Sequence, residues 1–165
     1  MESSWWQRMG GTVAQEFSDV PDLEQATRIV LRLALAALLG GILGFEREAR
    51  GKSAGVRTHM LVCMGSALFV LVSVQAGIEQ TDLSRVIQGI VAGVGFLGAG
   101  TILKGKDEDQ VKGLTTAAGI WLTAAIGVAA GMGREMTAVL STVLALAILA
   151  AVPLVDRLLD KPHRH

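Results

Sequence analysis

The sequence predicts an all-α fold, a polytopic transmembrane bundle of about five helices. Hydrophobic residues make up 51% of the chain, and the mean hydropathy is +0.49. These residues are concentrated in five long runs, each close to the roughly 20 apolar residues that a helix needs to cross the hydrocarbon core. The runs are rich in glycine and alanine, a composition typical of packed membrane helices and not of a soluble core.

The five runs define the expected domain organisation. A polar, interfacial segment over residues 1–28 precedes a transmembrane domain over 29–155, and a short cytoplasmic tail follows over 156–165. The last four runs contain no Asp, Glu, Lys, Arg or His, and the first contains a single charge, Arg32. The predicted spans are Ile29–Phe45, Met60–Ile78, Val86–Leu103, Leu114–Gly133 and Met136–Val155.

The segment before the first span is expected to lie at the membrane surface. It lacks the apolar stretch of a cleavable signal peptide. Trp5 and Trp6 fit an interfacial position, because the indole ring combines an apolar body with one polar N–H. Asp22 is followed three residues later by Gln25, the spacing of a capping box, so the first helix is expected to begin near Leu23.

The distribution of Lys and Arg among the loops predicts the orientation. Ten of these cations lie in the first loop, the third loop and the tail, against four in the N-terminal segment and the two other loops. Cytoplasmic loops of membrane proteins carry the excess of Lys and Arg. We therefore expect the N-terminus outside and the C-terminus in the cytoplasm.

The first loop lies within the stretch "GFEREARGKSAGVRTHM". Glu46 and Arg50 are four residues apart in the favourable order, which extends the first helix beyond the membrane. Arg57 opens the second helix, where a cation is unfavourable beside the positive end of the helix dipole. Glu46 is the nearest carboxylate that would compensate this charge, and Glu48 is the second candidate. Two interpretations remain open: an ordinary positive-inside loop, or a structured ionic cluster that binds a partner or an anionic lipid headgroup.

Arg32 needs a partner on the opposite side, because a charge inside the membrane is costly unless it pairs or reaches the interface. Asp82 lies in the second loop at a similar depth, so an Arg32–Asp82 ion pair is expected. The alternative is a local role, in which Asp82 caps the third helix and Arg85 follows it.

The third span contains "GVGFLGAG", residues 93–100, which matches the pattern G-x-G-x-x-G. No strand precedes it, so the pattern does not indicate a dinucleotide site. Gly89 and Gly93 form G-x-x-x-G, which permits close helix packing and predicts a position at the bundle centre. The alternative is a bent or unwound segment that lines a cavity, as in transporters.

The last two spans differ in their glycine content. Gly127 and Gly131 are spaced by four in the fourth span, which predicts a second close helix contact. The fifth span, over residues 136–155, contains no glycine, so it is expected to be a peripheral, lipid-facing helix.

No arrangement of residues indicates a cofactor, a metal or an enzyme. Asp107, Glu108 and Asp109 are expected to form a solvated turn, because Mg²⁺ usually keeps several waters and is rarely held by protein ligands alone. The three histidines lack plausible ligand spacing with any Cys or acidic residue, and Ser, His and acidic residues do not converge into a hydrolase arrangement. Cys63 is the single cysteine and is expected to be buried. The net charge of zero gives no reason to expect a nucleic-acid partner.

Four stretches resemble the MgtC/SapB family of bacterial inner-membrane proteins. They are "LGGILGFERE", "SAGVRTHMLVCMGSALF", "DLSRVIQGIVAGVGFLGAGTIL" and "VKGLTTAAGIWLTAAIGVAAG", and they cover most of residues 29 to 133 in the family's order. The charged and small positions of the family's motifs, which with Arg50 are the candidate functional residues, fall here on Glu46, Arg47, Arg57, Thr58, Asp82, Arg85, Gly93, Gly95, Gly98, Gly100, Gly113 and Thr116.

The resemblance implies a multi-pass protein of the bacterial inner membrane that is linked to growth at low magnesium and, in some pathogens, to survival inside phagocytes. It implies a regulator of other membrane proteins, including the ATP synthase, despite a historical description of the family as magnesium transporters. One departure from the family is expected. Some members, including a virulence factor, have a soluble domain after the last helix, and this chain is expected to be the membrane-only version.

Two functions remain open. The first is a regulator that contacts the lipid bilayer, other inner-membrane proteins and a second copy of itself, because four spans lack the ionisable groups that usually mark ion relays. The second is a transporter or channel for Mg²⁺ or another ion, with hydroxyl groups and backbone carbonyls as ligands. A regulator should be sensitive to change at Glu46 and Arg57, and a transporter at Thr101, Thr116 or the glycines of the third span.

Overall fold

The computed structural model describes residues 4–18, 20, 22–104 and 111–159. The acidic trio at 107–109 lies outside these residues. The elements are α1 (Trp5–Glu16), α2 (Leu23–Ala49), α3 (Val56–Gln75), α4 (Gln80–Ala99), β1 (Leu103–Lys104), β2 (Val111–Lys112), α5 (Leu114–Gly131) and α6 (Glu135–Leu159). Apart from one two-stranded antiparallel ribbon, the described chain is helical, which confirms the all-α prediction. Helices α2 to α5 are long and apolar enough to cross a membrane, and within α6 the stretch Glu135–Ala151 is apolar but shorter.

Residues 1–31 form a compact unit of their own. The sequence predicts an interfacial segment here, but no helix, and α1 is a finding of the structure. Trp5 and Trp6 are both exposed and stack on each other. The Asp22 carboxylate accepts a hydrogen bond from the Gln25 N–H at 2.7 Å, and α2 begins at Leu23. The predicted cap and helix start are therefore confirmed.

Helix α5 lies at the centre of the second unit, residues 32–165, because it packs against α3, α4 and α6. Gly127 and Gly131 provide the closest approach to α3. A Cβ atom at Gly127 would overlap the Cys63 carbonyl oxygen, and one at Gly131 would lie 2.6 Å from the Ala67 carbonyl oxygen. The two glycines spaced by four therefore form the close contact that the sequence predicts, and Cys63 is fully buried beneath it.

Helices α2 and α3 pack just as closely. A Cβ atom at Gly40 would lie 2.5 Å from the His59 carbonyl oxygen, and one at Gly44 would lie 2.6 Å from the Val56 Cα atom. These two positions allow the end of α2 to lie directly against the first turns of α3, which brings the charged residues of both helix ends together.

Helix α4 is peripheral, so the prediction that it occupies the bundle centre is wrong. A Cβ atom at Gly89, Gly93 or Gly95 would meet nothing within 4 Å. Only Gly98 is near a neighbour, with its Cβ position 3.5 Å from Ala117. The spacing of small residues shows that a helix can be approached closely, but it does not say which partner approaches. In the second unit α5 takes the central place, and the glycine face of α4 stays open.

The stretch "GFLGAG", residues 95–100, forms the end of α4. The helix continues through Gly95 and Gly98 to Ala99, with Gly100 as its C-cap. The bent or unwound alternative is therefore not what the structure shows. Helix α6 agrees with its predicted peripheral position: a narrow stripe that includes Ala138 and Ala145 is buried, whereas other apolar side chains of the helix are exposed.

Arg32 pairs with a residue other than the predicted one. Its Nε lies 3.6 Å from a carboxylate oxygen of Glu135, and its Nη1 donates to the Gly131 carbonyl oxygen at 3.3 Å. Asp82 pairs instead with Arg85 at 3.5 Å, one turn along the same helix. The Arg32–Asp82 prediction is wrong because the turn between α5 and α6 brings a different carboxylate to the arginine. The local alternative for Asp82 holds in part: Asp82 pairs with Arg85, but it lies in the first turn of α4, whose N-cap is Glu79.

A double-mutant cycle should distinguish these two partners. Arg32→Ala and Glu135→Ala are expected to show a coupling energy of about 0.5–1 kcal/mol, because the two side chains touch in a partly buried place. Arg32→Ala and Asp82→Ala should be additive to within about 0.5 kcal/mol. The measurement is the free energy of unfolding in detergent micelles, and coupling in the second cycle alone would contradict the observed pairing.

Gly113 closes the connection between the ribbon and α5. Its φ of +98° lies in the left-handed region, and a Cβ atom here would overlap the Thr101 carbonyl oxygen. A glycine is required for both reasons. Gly51 also has a positive φ, +65°, but a Cβ atom there would meet nothing within 4 Å.

A comparison of alanine substitutions at Gly51 and Gly113 separates the cost of the positive φ, which both share, from the cost of the steric overlap, which only Gly113 has. Gly51→Ala should lower the free energy of unfolding by about 1–2 kcal/mol, the cost of a left-handed conformation. Gly113→Ala should cost a further 1–3 kcal/mol or so, because the added methyl group displaces the Thr101 backbone. Unfolding of both variants, followed by circular dichroism in micelles, measures the difference, and equal losses would contradict the overlap.

Candidate functional site

The charged end of α2 and the first turn of α3 form the most polar buried region of the described chain. We call Glu46, Arg47, Glu48, Arg50 and His59 the ionic corner. Arg47 is only 3% exposed, and its Nε and Nη2 both lie 2.5 Å from the Glu46 Oε2 atom. Arg50 Nε lies 2.5 Å from the second oxygen of Glu46, although the geometry of that pair does not give a hydrogen bond.

Glu48 has a different task. Its Oε2 accepts a hydrogen bond from the Val56 N–H at 2.9 Å, at the first residue of α3. A carboxylate here satisfies one of the free N–H groups of the helix and compensates the positive end of its dipole. Of the two acids predicted to compensate Arg57, Glu48 therefore accepts a hydrogen bond at the start of α3, whereas Glu46 forms ion pairs with Arg47 and Arg50. Arg57 is exposed, and no described residue forms an ion pair with it.

His59 is completely buried. Its Nδ1 lies 3.0 Å from the Gly55 carbonyl oxygen, and because a carbonyl can only accept, Nδ1 carries the proton and donates. None of the described residues forms a hydrogen bond with its Nε2. Reasoning from the sequence missed this role of His59, since His59 lacks ligand spacing with other residues. The only available signal was its position one turn into a helix whose next residues are apolar.

A cavity of about 200 Å³ adjoins the ionic corner. Arg47, His59 and Thr115 are its polar lining residues, and apolar residues of α2, α5 and α6 form the rest of its wall. The cavity therefore places a buried cation and an unpartnered ring nitrogen in a mostly apolar surrounding.

A second, larger cavity is a groove of about 620 Å³ between α3 and α4. Its floor includes Gly65 and Ser66 of α3, and its other side includes Gly89 and Gly93 of α4. The remaining lining residues are apolar. We call it the α3–α4 groove.

The predicted site residues are distributed over several places. Glu46, Arg47 and Arg50 meet in the ionic corner, and Gly93 lines the α3–α4 groove. Thr58 and Gly100 line a third cavity of about 470 Å³. The remaining ones lie apart from these: Asp82 and Arg85 form an exposed pair, Gly95 is open, Gly98 contacts α5, Gly113 caps α5 and Thr116 is buried in α5.

A metal site is not apparent in the part of the chain that the structure describes. No group of three or more His, Cys, Asp or Glu side chains is placed to hold an ion there. Several buried hydroxyl groups are occupied within their own helices: Ser73 donates to the Phe69 carbonyl at 2.8 Å, and Thr123 donates to the Gly119 carbonyl at 2.8 Å.

Comparison with known proteins places these features in a family. The model of the MgtC family matches residues 33–158. SrpB of Synechococcus elongatus is 44% identical over 138 residues, which cover 77% of this chain and 76% of SrpB. YhiD of Escherichia coli K12, named as a candidate magnesium transporter, is 44% identical over 140 residues, or 80% of this chain and 64% of YhiD. MgtC of Brucella abortus is 46% identical over 125 residues, or 75% of this chain and 51% of that protein.

The matches do not span the whole of every relative. The chain covers less than two thirds of YhiD and about half of the Brucella protein. No solved structure is significantly similar to it.

Proposed function

This chain belongs to the MgtC family, and we propose that it is a non-enzymatic, multi-pass protein of the bacterial inner membrane that modulates other membrane complexes, such as the ATP synthase, in adaptation to low magnesium. In this proposal the ionic corner faces the cytoplasm, as the excess of Lys and Arg in the first and third loops favours. The protein acts by contact with a partner's transmembrane helix and requires no cofactor.

The open glycine face of α4 carries the proposal. Helices associate in a bilayer where small residues let their backbones approach, and the glycines of α2 and α5 are used in this way inside the protein. Gly89 and Gly93 have the same spacing but touch nothing. Together with Gly65 on the other side of the α3–α4 groove, they leave the groove wide enough to accept a helix with small side chains.

The buried polar groups support a regulator more than an ion pathway. Ion relays and coupling sites usually contain intramembrane carboxylates or histidines. The buried His59 and the partly buried Glu46 are groups of this kind, but they lie at the adjoining ends of α3 and α2 and not in the middle of a span. The hydroxyls of Ser73 and Thr123 donate to carbonyls of their own helices, so their protons are held within one helix and do not form a proton relay between helices. Thr101 likewise donates to the Gly98 carbonyl at 2.8 Å.

Transport of Mg²⁺ or another ion is the second candidate. The name of YhiD favours it, since that relative is described as a candidate magnesium transporter and shares 44% of the aligned residues. Such a pathway would have to use hydroxyl oxygens and backbone carbonyls, which can act as ion ligands in filters.

The first experiment compares two leucine substitutions on α4 in cells that depend on this chain for growth at low magnesium. Gly93→Leu fills the α3–α4 groove and should abolish growth, because the partner helix can no longer approach. Ala92→Leu adds the same side chain to a neighbouring exposed position outside the groove and should leave growth unchanged. Membrane levels of both variants are measured by immunoblot. Normal growth of Gly93→Leu would contradict the proposal.

A second experiment separates regulation from transport. The purified protein is inserted into liposomes that contain a fluorescent Mg²⁺ indicator, with protein-free liposomes and an Arg57→Ala variant alongside. A regulator should give the protein-free rate of uptake. Saturable uptake above that rate would contradict regulation as the sole function and would support the transporter.

A further inference from the structure

The cavity beside the ionic corner is not used by the regulatory function proposed above. Its volume of about 200 Å³ is below the roughly 300–1,000 Å³ of pockets that enclose a whole drug-sized ligand. A ligand would therefore place only one end in it. Apolar residues such as Leu43, Ile148 and Leu149 line it, and Ile148 is 63% exposed, so an apolar continuation of the ligand can leave along α6.

The polar groups of the cavity define what that end must offer. Nδ1 of His59 donates to the Gly55 carbonyl, so Nε2 of the neutral ring has a lone pair and accepts a hydrogen bond. A buried polar atom without a hydrogen-bond partner is rare in folded proteins. Binding of a ligand that donates a hydrogen bond to Nε2 would therefore be favourable. A hydroxyl group of a ligand provides this hydrogen bond.

Arg47 defines the second requirement. Its Nε and Nη2 bind Glu46 Oε2, and no described residue accepts a hydrogen bond from Nη1. Glu46 faces both Arg47 and Arg50, so these three side chains together carry one net positive charge. The second carboxylate of the ionic corner, Glu48, is directed to the Val56 N–H. With Glu48 counted, the ionic corner is neutral. An anionic group, and a phosphate in particular, matches a guanidinium in such a place.

We propose that this cavity binds an anionic glycerophospholipid with a hydroxyl-bearing headgroup, of the phosphatidylglycerol type. The phosphate accepts hydrogen bonds from Arg47, a headgroup hydroxyl donates to Nε2 of His59, and the start of an acyl chain lies along Leu43, Ile148 and Leu149. Helices α2 and α3 are both candidate membrane spans, and the cavity lies at their adjoining ends, so in this proposal it lies at the level of the lipid headgroups.

Gly119 makes the proposal testable without disturbing the fold. A Cβ atom at this position would lie 3.6 Å from Nε2 of His59 and 3.9 Å from Cδ of Arg47, which are ordinary van der Waals distances. Gly119→Ala therefore fits the fold and covers Nε2 with a methyl group. Gly98→Ala is the matched control, because its Cβ position contacts Ala117 at an equally ordinary 3.5 Å and lies outside the cavity.

The experiment measures lipid binding to the purified full chain in detergent by native mass spectrometry. Phosphatidylglycerol, phosphatidylethanolamine and phosphatidylcholine are titrated separately, and the melting temperature of each variant is recorded. We expect phosphatidylglycerol to bind at least about tenfold more tightly than phosphatidylcholine, and Gly119→Ala to lose about tenfold in that affinity, the effect of one buried hydrogen bond. Gly98→Ala should bind as the unmodified protein does.

Three results would overturn the proposal. Equal affinity for the three lipids would show that neither the net negative charge nor the hydroxyl groups of the headgroup are recognised. Displacement of the lipid by millimolar glycerol 3-phosphate or inorganic phosphate would show a site for a soluble anion. Selective binding that Gly119→Ala leaves unchanged, with an unchanged melting temperature, would place the lipid elsewhere and leave the cavity to water.

Discussion

Gly127→Ala is expected to lower the free energy of unfolding by about 3 kcal/mol or more, the upper part of the usual range for overpacking. The added methyl group would overlap the Cys63 carbonyl oxygen and lie 3.0 Å from the Cys63 Cα atom. These are backbone atoms, so no side-chain rotation relieves the overlap, and α3 and α5 must separate along their whole contact. Unfolding in mixed micelles, followed by circular dichroism, measures the loss.

Gly93→Ala is the control for this result. It makes the same substitution in a neighbouring helix, where a Cβ atom would meet nothing within 4 Å. Since alanine favours a helix over glycine, the isolated protein should be unchanged or slightly more stable. Equal destabilisation by Gly93→Ala and Gly127→Ala would contradict the arrangement in which α5 is central and α4 peripheral.

Arg47→Ala is expected to lower the free energy of unfolding by about 3–5 kcal/mol, the usual consequence of removing one partner from a buried ion pair. Glu46 would lose the two nitrogens that bind its Oε2 and would keep only the more exposed Arg50. The buried stem of Arg47 would also leave an empty space beside His59. The same unfolding measurement applies.

Arg85→Ala provides the matched comparison. It also removes an arginine from an ion pair, but this pair with Asp82 is exposed, and exposed pairs contribute little to stability. A small effect of Arg85→Ala beside a large effect of Arg47→Ala is the expected pattern. If Arg47→Ala were as mild as Arg85→Ala, the buried ion pair would not stabilise the fold.

Apolar runs were sufficient to locate the helices but not to find all of their ends. The predicted fourth span, Leu114–Gly133, agrees closely with α5, because turn residues limit it on both sides. Helix α3 begins at Val56 and not at Met60, since helix formation continues through polar residues that a membrane span excludes. Helix α1 escaped prediction because its apolar residues are separated by polar ones and by two glycines, so it has no run long enough to stand out.

The contacts between helices were harder to predict than the helices. The spacing of Gly89 and Gly93 is the same as that of Gly127 and Gly131, yet only the second pair touches another helix. Spacing along one helix contains no information about which faces meet. The partner of Arg32 was missed for the same reason, because Glu135 is about 100 residues away and becomes its neighbour only through the turn between α5 and α6.

The local part of the ionic corner was predictable, and the cavity was not. Glu46 and Arg50 lie four residues apart on one helix, so their ion pair follows from helix geometry alone. Gly119 and Ile148 reach the cavity from α5 and α6, far along the sequence. Their approach depends on the packing of the whole bundle.

The central position of α5 has a consequence for biogenesis in the proposed membrane setting. Chains are synthesised from the N-terminus, and inserted helices associate after they have entered the bilayer. The hairpin of α2 and α3 can close early, because Gly40 and Gly44 need no later segment. Helix α4 is inserted next, and at this stage it can pack against α3 but not yet against α5. If assembly follows this order, the surfaces of α3 and α4 that pack against α5 stay uncovered until α5 has been synthesised.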